Sequence, residues 1–393
     1  IEDIARPARP DRGEALAVAD KDEVWLFEIT GPGPLWNQES GKPGAIWAAQ
    51  RVPDDMYGMG SNRSRIGEIN FNDKDNFMYS SNIREFAKDM GWWKQGEKFV
   101  FHKIYNPAPY GSPYYQQRRE WRAYNLLSPS VKLDPNAKEQ YPLFQKPDKP
   151  LKAQDLMAVC RDYLEGTRFD LTQGPAAGPF GTPTRYATGK AQKPENRKGN
   201  DWDRPISLFR CSYSMIGEIR PNMPEEIAAV LWFGLDQPHT SVYMPVYAGT
   251  KSLPKSLNIY DRAKFNQDST FWAFNFVGNW ADLKHSYMIK DIRAKQSELE
   301  KGFFSTLPAT DKAFLEKYKA KNVKAGTELI TKYVNDNVNK VHKEWWDLAW
   351  YLVGKYSDGY VIDDKTGKAE TVGYPTEWLQ QVGFGNNDAE PKK

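Results

Sequence analysis

The chain has 393 residues, and its content of 27% charged and 40% hydrophobic residues is typical of a folded protein rather than a disordered one. Its 54 basic and 51 acidic residues are interspersed and leave a net charge of only +3, which argues against nucleic acid as a partner. No run of apolar residues approaches eighteen, so we predict no membrane span. The length fits one large domain with an appended helical part as well as it fits two domains.

The first residues, IEDIARPARPDRGE, include no initiator Met and lack the apolar core of a signal peptide. We therefore expect Ile1 to follow a processing event or an unseen preceding segment. Residues 1–13 are then a tail, and residues 14–393 form the domain. Cys160 and Cys211 are too few for a disulfide framework and lie outside any C-x-x-C spacing, so they indicate little about the redox compartment.

Strand, turn and helix patterns alternate in the first half of the chain. Residues 23–30 alternate around Val24, Leu26 and Ile29, and residues 44–52 form a second strand pattern after a turn-rich stretch, which predicts an antiparallel hairpin with a long loop. The other elements predicted here are a short strand at 65–69 and helices at 76–91, 114–127 and 147–167. Cys160 lies on the apolar stripe of the last helix and is predicted to be a buried small residue.

The second half combines a loop, strands and long helices. Residues 168–205 are rich in Gly, Pro, Thr, Lys and Asn, and a loop of this length is usually functional or disordered. The elements predicted after it are strands at 207–220, which includes Cys211, at 228–236 and at 240–249, and amphipathic helices at about 269–304 and 327–357. These patterns predict an α+β fold in which helices flank antiparallel sheets.

Motifs of several enzyme classes are absent. The histidines are far apart in the sequence and lack carboxylates at metal-ligand spacing, so a zinc hydrolase is not expected. No G-x-S-x-G follows a strand, and GMGSN at 58–62 is not a phosphate loop. We predict neither a metal site nor an organic cofactor.

Aromatic residues are abundant, with 14 Trp, 21 Tyr and 19 Phe. They fit either a large packed core or stacking platforms for sugars and other flat ligands. A carbohydrate-binding module is therefore one alternative function. It requires rings exposed in a row, whereas most of these residues fall on periodic stripes that are expected to be buried.

Eight motifs occur in one order along the chain, and this ordered set is more specific than any single motif. They are EVWLFEITGPG, GAIWAAQRVPDD, SNRSRIGEINFND, LMAVCRDYLEGTRFDLTQGPAAGPFGTPTRY, AAVLWFGLDQPHTSVYMPVYAG, STFWAFNFVGNW, SYMIKDIRAKQSELE and GYPTEWLQQV. Together they resemble peptidase family C69, cysteine dipeptidases of the N-terminal nucleophile (Ntn) hydrolase superfamily. The resemblance spans residues 14–383.

The resemblance implies an αββα sandwich, two antiparallel sheets packed between helical layers. It also implies amide hydrolysis by a cysteine at the mature N-terminus. The α-amino group of such a cysteine has a pKa close to neutral pH and can therefore act as the base. In the family this nucleophile lies upstream of the region that begins at Ile1. We therefore expect it on a separate N-terminal fragment or on a longer protein, since no residue of this chain is predicted as nucleophile.

The turn segment RVPDDMYGMGSNRSRIGEIN is predicted to contribute to the site. The resemblance places Asn62 in the oxyanion hole, where a fixed neutral donor stabilises the tetrahedral intermediate. A turn residue is the alternative for Asn62. Arg51 and Arg65 are predicted to flank the substrate pocket or to brace it by pairing with Asp54 or Asp55, with surface salt bridges as the alternative.

Arg185 ends the loop motif GPFGTPTR and resembles the arginine that contacts nucleophile and substrate in related amidases. It is the third predicted substrate-binding arginine. Asp236, by contrast, is expected to be a turn residue rather than a catalytic acid.

The leading hypothesis is a cysteine dipeptidase that hydrolyses short peptides through a thioester intermediate, without a metal or cofactor. The family further suggests a homo-oligomer and a periplasmic or secreted location. Because the nucleophile is not on this chain, the alternative is a catalytically silent binding or structural protein with the same fold.

Overall fold

A computed structural model describes residues 14–30, 46–106, 114–137, 139–186 and 202–384. They form a mixed fold of helices and small antiparallel sheets, and the predicted α+β class is confirmed. The chain divides into two compact units. Unit 1 comprises Ile1–Asp155 and Thr188–Arg204, and unit 2 comprises Leu156–Ala187 and Pro205–Lys393.

Unit 1 contains a four-stranded antiparallel sheet in the order β1-β2-β3-β5 and a two-stranded sheet of β4 and β6. Its strands are β1 (Glu14–Ala19), β2 (Val24–Thr30), β3 (Ile46–Arg51), β4 (Tyr57–Gly58), β5 (Phe77–Tyr79) and β6 (Phe144–Gln145). Its helices are α1 (Ile83–Asp89), α2 (Phe101–Tyr105) and α3 (Tyr114–Leu127), and α4 (Ala153–Cys160) begins where this unit ends.

The predicted hairpin of 23–30 and 44–52 is confirmed as β2 and β3, and its long loop lies outside the described residues. Side chains on both faces of β2 are buried, including Leu26 and Phe27. The expected alternation of buried and exposed side chains along this strand is therefore wrong, because β2 is an inner strand whose two faces are both covered. The predicted helix at 114–127 coincides with α3.

Two other elements of unit 1 differ from the prediction. Residues 65–69 form only an isolated bridge, Glu68 with Val100, because the Arg65 and Ile66 N–H groups bind a buried carboxylate instead of a strand. The predicted helix 76–91 begins only at Ile83, since residues 77–79 pair with β3.

The core of unit 1 lies between the sheet and the short helices. Ile66, Phe86 and Phe101 are fully buried in it. Each such side chain stabilises the fold by about 1.5–3 kcal/mol through the apolar surface it removes from water. Ile66 lies within the predicted site segment, four residues after Asn62, so the core anchors this part of the segment.

Unit 2 contains a three-stranded antiparallel sheet, β7-β8-β9, and the hairpin β10–β11. Its strands are β7 (Tyr213–Ile219), β8 (Ala229–Leu235), β9 (Met244–Tyr247), β10 (Tyr360–Ile362) and β11 (Ala369–Thr371). Its helices are α5 (Thr270–Ala281), α6 (His285–Lys319), α7 (Val323–Lys355) and α8 (Thr376–Gln381). The three predicted strands are confirmed but shorter, and Cys211 precedes β7 instead of lying within it.

The long helices also have different bounds from those predicted. The helix predicted at 269–304 is interrupted at Lys284, whose φ of −148° and ψ of 55° are not helical. Lys284 is buried there, and its Nζ donates to the carbonyl oxygens of Tyr356 and Tyr360 at 3.2 and 3.0 Å. α7 begins before residue 327, because the side chain of Asn322 caps the N–H of Ala325 at 3.1 Å.

Two helical glycines allow a matched stability test. A Cβ at Gly326 would lie 2.9 Å from the buried Phe314 ring, whereas a Cβ at Gly302 would meet no atom within 4 Å. Gly302→Ala should therefore stabilise the protein by about 0.5–1 kcal/mol, since alanine restricts the unfolded chain. Gly326→Ala should destabilise it by roughly 1–3 kcal/mol through overpacking. Urea denaturation measures both, and equal effects would contradict the packing of α6 on α7.

The described residues include no helix with the length and apolarity needed to cross a bilayer.

Candidate functional site

Glycines let the turn that carries Asn62 lie close to the sheet. A Cβ at Gly60 would be 2.7 Å from the Cβ of Ala15, and a Cβ at Gly58 would be 3.2 Å from the Phe144 ring. Any side chain at Gly60 would force the turn away from β1. Asn62 follows two residues later and is half-buried.

Glu28 of β2 holds the backbone after Asn62. Both of its carboxylate oxygens accept the Arg65 N–H at 2.7 Å, and Oε2 also accepts the Ile66 N–H at 2.9 Å. Burial raises the pKa of Glu28 to about 7, although these N–H groups and the Arg65 charge favour the ionised form. The turn is therefore fixed to the sheet by a single buried carboxyl group.

Glu120 of α3 binds the residues on both sides of Asn62. Its Oε1 accepts from Ser61 Oγ at 2.6 Å, and its two oxygens accept from the Arg63 guanidinium at 3.0 and 2.7 Å. Burial raises the pKa of a carboxyl group, but Arg65 and Arg63 outweigh this effect and hold the pKa of Glu120 below its usual value. Glu120 is thus a buried anion that orders the turn.

Arg65 is one of the most buried charged residues of the unit. Its Nε lies 3.3 Å from Glu120 Oε2, and its Nη1 donates to Tyr124 Oη at 3.1 Å and to Met59 O. Its Nη2 donates to the carbonyl oxygens of Tyr141 and Pro142 at 3.0 and 2.8 Å. These contacts show Arg65 bracing the turn, and its contact with substrate stays a prediction.

The side-chain amide of Asn62 is oriented by arginines. Its Oδ1 accepts from Arg119 Nη2 at 2.9 Å and from Arg204 Nη1 at 3.3 Å. A guanidinium has only donors, so it binds the oxygen end of an amide and not the nitrogen end. Within the described ranges Nδ2 donates to no protein group, which leaves the NH₂ as the end available to a ligand.

Arg51 lies at the end of β3 and forms two ion pairs. Its Nη2 donates to Asp54 at 2.6 Å, and its Nε donates to Glu23 at 3.1 Å. Pairing with Asp54 was one of the predicted options for Arg51 and this ion pair forms, but the Asp54 side chain is 80% exposed, so the pair equally fits the surface salt bridge that was the alternative. Asp55 pairs with Lys146 at 3.0 Å instead. A contact between Arg51 and substrate stays a prediction.

Arg185 lies in unit 2, in the loop motif where it was predicted. Its Nη1 donates to the carbonyl oxygens of Thr182 and Thr184 at 2.8 and 3.0 Å, and its Nη2 donates to Leu171 O. Burial lowers the pKa of this guanidinium. Arg185 thereby closes its own loop, and its contact with substrate stays a prediction.

Within the described residues neither Cys160 nor Cys211 forms a disulfide, and both residues are half-buried, so Cys160 is less buried as a whole residue than predicted. Cys160 lies at the end of a helix that stops at residue 160 instead of continuing to 167, and burial raises the pKa of its thiol. Among the described residues, no group of three or more His, Cys, Asp or Glu side chains is arranged to hold a metal ion.

The carboxylates that hold the turn were missed by the sequence reasoning. Glu28 lies within an apolar strand, where a charged residue signals either a solvent-facing position or a buried functional partner. Glu120 lies in α3 one helical turn from Tyr124, on the same face of the helix. The unusual positions of Glu28 and Glu120 are visible in the sequence, but neither position indicates which residue the carboxylate binds.

The sequence of the chain is similar to that of a known peptidase family. The model of peptidase family C69 matches residues 9–298. The chain belongs to peptidase family C69. This confirms the predicted resemblance over about three quarters of the chain.

Several curated relatives of this C69 chain are named as dipeptidases. A probable dipeptidase of Latilactobacillus sakei is 25% identical over 311 residues, which cover 79% of this chain and 59% of the relative. One of Salmonella dublin is 28% identical over 250 residues, covering 63% of this chain and 50% of the relative. Probable dipeptidase B of Lactococcus lactis is 28% identical over 343 residues, 81% of this chain and 64% of the relative. The C69 chain thus spans between half and two thirds of these relatives.

Proposed function

We propose that this C69 chain forms part of a dipeptidase that hydrolyses the amide bond of short peptides. The observation that carries the proposal is the amide of Asn62, which is held by its oxygen and has its NH₂ available. The names of the curated relatives support the same reaction class. Because the chain spans only part of their length, the activity is proposed for the complete protein.

In the proposed mechanism the nucleophile is a cysteine thiol on a segment outside this chain. The N-terminal α-amino group takes the thiol proton and becomes an ammonium. The thiolate adds to the peptide carbonyl carbon, the C–S bond forms, and the carbonyl oxygen takes the π electron pair and becomes an oxyanion. Collapse expels the amine, which takes a proton from the N-terminal ammonium, and leaves a thioester. The neutral N-terminal amino group then takes a proton from water, and the hydroxide adds to the thioester carbonyl carbon. Collapse breaks the C–S bond, releases the carboxylic acid product and returns the proton from the N-terminal ammonium to the sulfur.

Asn62 would act on the oxyanion in both steps. A neutral NH₂ donor that is fixed before reaction stabilises the developing charge without the cost of reorganisation, and one such donor is worth about 2.7–4 kcal/mol of barrier. Arg119 and Arg204 would fix the direction of this donor. Arg51, Arg65 and Arg185 are proposed to bind the substrate or to position the groups that bind it.

The architecture and setting belong to the same proposal. We infer an αββα Ntn-hydrolase sandwich for the complete protein, which assembles as a homo-oligomer and works in the periplasm or outside the cell. The support is the family assignment and the antiparallel sheets with flanking helices seen in each unit.

Two variants at Asn62 separate a donor role from a structural one. Asn62→Ala in the complete enzyme should lower kcat on a dipeptide about 10²- to 10³-fold with little change in the fold. Asn62→Asp keeps the oxygen that accepts from Arg119 and Arg204 but replaces the donor by an anion. It should be at least as inactive as the alanine variant while remaining fully folded.

Steady-state kinetics and circular dichroism of the wild type and both variants check this expectation. Recovery of activity in Asn62→Asp would show that Asn62 only organises the turn. Unchanged activity in Asn62→Ala would remove it from the oxyanion hole.

A further inference from the structure

Four arginine side chains lie near the proposed oxyanion donor. Arg63 and Arg65 follow Asn62 along the turn. Arg119 of α3 and Arg204 donate to the Oδ1 of Asn62, from Nη2 at 2.9 Å and from Nη1 at 3.3 Å. All of these residues belong to unit 1. The amide NH₂ that a ligand would meet is therefore close to several positive charges.

The carboxylates that bond this turn are used by the turn itself. Glu28 accepts the N–H groups of Arg65 and Ile66. Glu120 accepts from Arg63 and pairs with Arg65. Both carboxylates are buried, at 1% and 0% exposure. Among the described groups that bond residues 61–66, four guanidiniums thus stand against two carboxylates, which leaves an excess of positive charge even when Glu28 is ionised.

A neighbouring histidine experiences the same positive field. Its ring nitrogen, His102 Nδ1, lies 3.0 Å from the carbonyl oxygen of Ile66. Burial lowers the pKa of His102, and the charges of Lys103, Arg63 and Arg65 lower it further. The surroundings of the turn therefore favour an anionic ligand group over a cationic one.

Arg119 and Arg204 combine partial exposure with a position beside the donor. Both are half-buried, as Asn62 is. Arg65, by contrast, is only 3% exposed, and the guanidinium of Arg63 bonds both oxygens of Glu120. A guanidinium has five N–H donors, so a bond to the amide of Asn62 is compatible with a bond to a ligand. Arg119 and Arg204 are therefore the arginines that fit an anionic substrate group.

The size of a dipeptide matches the distance from these arginines to the oxyanion. The oxygen and nitrogen of an amide are about 2.3 Å apart, and an oxyanion bonded to Nδ2 lies about 3 Å beyond it. The guanidinium nitrogens thus lie within about 8–9 Å of the oxyanion. In a dipeptide the carboxylate oxygens lie up to about 5 Å from the scissile carbonyl oxygen, which leaves about 3 Å for a hydrogen bond. Each further residue moves the carboxylate away by about 3.3–3.6 Å.

We propose that Arg119 and Arg204 bind the free α-carboxylate of a dipeptide substrate and thereby select dipeptides over longer or C-terminally blocked peptides. The inference rests on the proposed function and specifies how the same site recognises its substrate. An α-carboxylate is ionised at neutral pH, and arginine binds carboxylates through charge-assisted hydrogen bonds. The substrate's ammonium group finds no equivalent partner in this turn, since Glu28 and Glu120 are buried and already bonded.

Kinetics on a dipeptide and its C-terminal carboxamide test the proposal in the complete protein. The wild type should prefer the dipeptide at least tenfold in kcat/KM, as expected for a charge-assisted hydrogen bond. Arg119→Gln and Arg204→Gln should each reduce this preference, and the double variant should bring it close to one. Arg119→Lys keeps the charge and should retain more of the preference than Arg119→Gln. Equal kcat/KM for both substrates in the wild type, or an unchanged preference in the double variant, would overturn the proposal.

An exposed arginine provides the matched control. Arg84 of α1 is exposed in the same unit, and Arg84→Gln removes one positive charge at a position outside the proposed site. It should leave the preference for the dipeptide unchanged, and circular dichroism should show that every variant is folded. A loss of preference in Arg84→Gln equal to that in Arg119→Gln would mean that net charge alone sets the preference, which would also overturn the proposal.

A binding measurement separates this inference from the proposed dipeptidase activity. Dipeptide analogues whose peptide bond is replaced by CH₂–NH cannot be hydrolysed, and calorimetry compares the free acid with the carboxamide. The wild type should bind the free acid at least tenfold more tightly, and the Arg119→Gln, Arg204→Gln double variant should not. Equal binding of both analogues to a protein that hydrolyses dipeptides would overturn the carboxylate site alone. Selective binding without hydrolysis of any dipeptide would support the site and contradict the proposed activity.

Discussion

Glu120→Ala is expected to lower the free energy of unfolding of unit 1 by about 3–5 kcal/mol, because it leaves buried guanidinium groups without their anion. Glu120 is fully buried and pairs with Arg63 at 2.7 Å and with Arg65 at 3.3 Å. Without it, Arg65 would keep, among the described residues, only carbonyl oxygens and the Tyr124 hydroxyl as hydrogen-bond acceptors. Urea denaturation followed by tryptophan fluorescence measures the loss.

Two control variants are needed. One tests whether the loss comes from the charge of Glu120 or from its packing, and the other tests whether it depends on the burial of the ion pair. Glu120→Gln keeps the size of the side chain and an acceptor for Ser61, so its effect should be smaller than that of alanine. Asp336→Ala removes an exposed partner of Lys332 and should cost no more than about 0.5 kcal/mol. If Glu120→Ala proves as mild as Asp336→Ala, the buried network does not hold the turn.

The same network explains why the site could be predicted only in part from the sequence. The resemblance identified Asn62, but the groups that orient it, Arg119 and Arg204, lie 57 and 142 residues away in the chain. No local pattern links such distant positions. Each arginine alone reads as an ordinary surface residue, and only the fold brings both to one amide oxygen.

Fold prediction succeeded where local pattern and final packing agree. α3 has the bounds that its sequence predicts, and β2 pairs with β3 as its hairpin pattern indicates. It failed where a tertiary contact replaces a local one. The sequence RIGEI favours a strand, but Glu28 takes the N–H groups of Arg65 and Ile66. In the same way, the buried Lys284 ends a helix that the apolar stripe would continue.

The second large expected effect is on the pH dependence of stability, and it comes from Asp236, a buried carboxyl group in unit 2. Asp236 follows β8 with a φ of 59°, which agrees with the turn role expected from the sequence. It is 2% exposed, and its Oδ1 accepts from Asn275 Nδ2 at 3.2 Å, while its Oδ2 has no hydrogen-bond partner within the described residues. Burial raises the pKa of Asp236 to about 7, against a reference value of 3.8.

Asp236→Asn should therefore become more stable than the wild type as the pH rises. Between pH 4 and pH 7 the unfolded chain has released the Asp236 proton while the folded chain retains it, so the wild type loses stability with increasing pH, and the neutral amide does not. From pH 5 to pH 8 the advantage of the variant should grow by about 3 kcal/mol, measured by urea denaturation at each pH. Asp336→Asn, at an exposed position of α7, controls for the loss of one negative charge. A difference between Asp236→Asn and wild type that stays constant over this range would mean that Asp236 is ionised in the folded protein, and that an unseen donor satisfies its second oxygen.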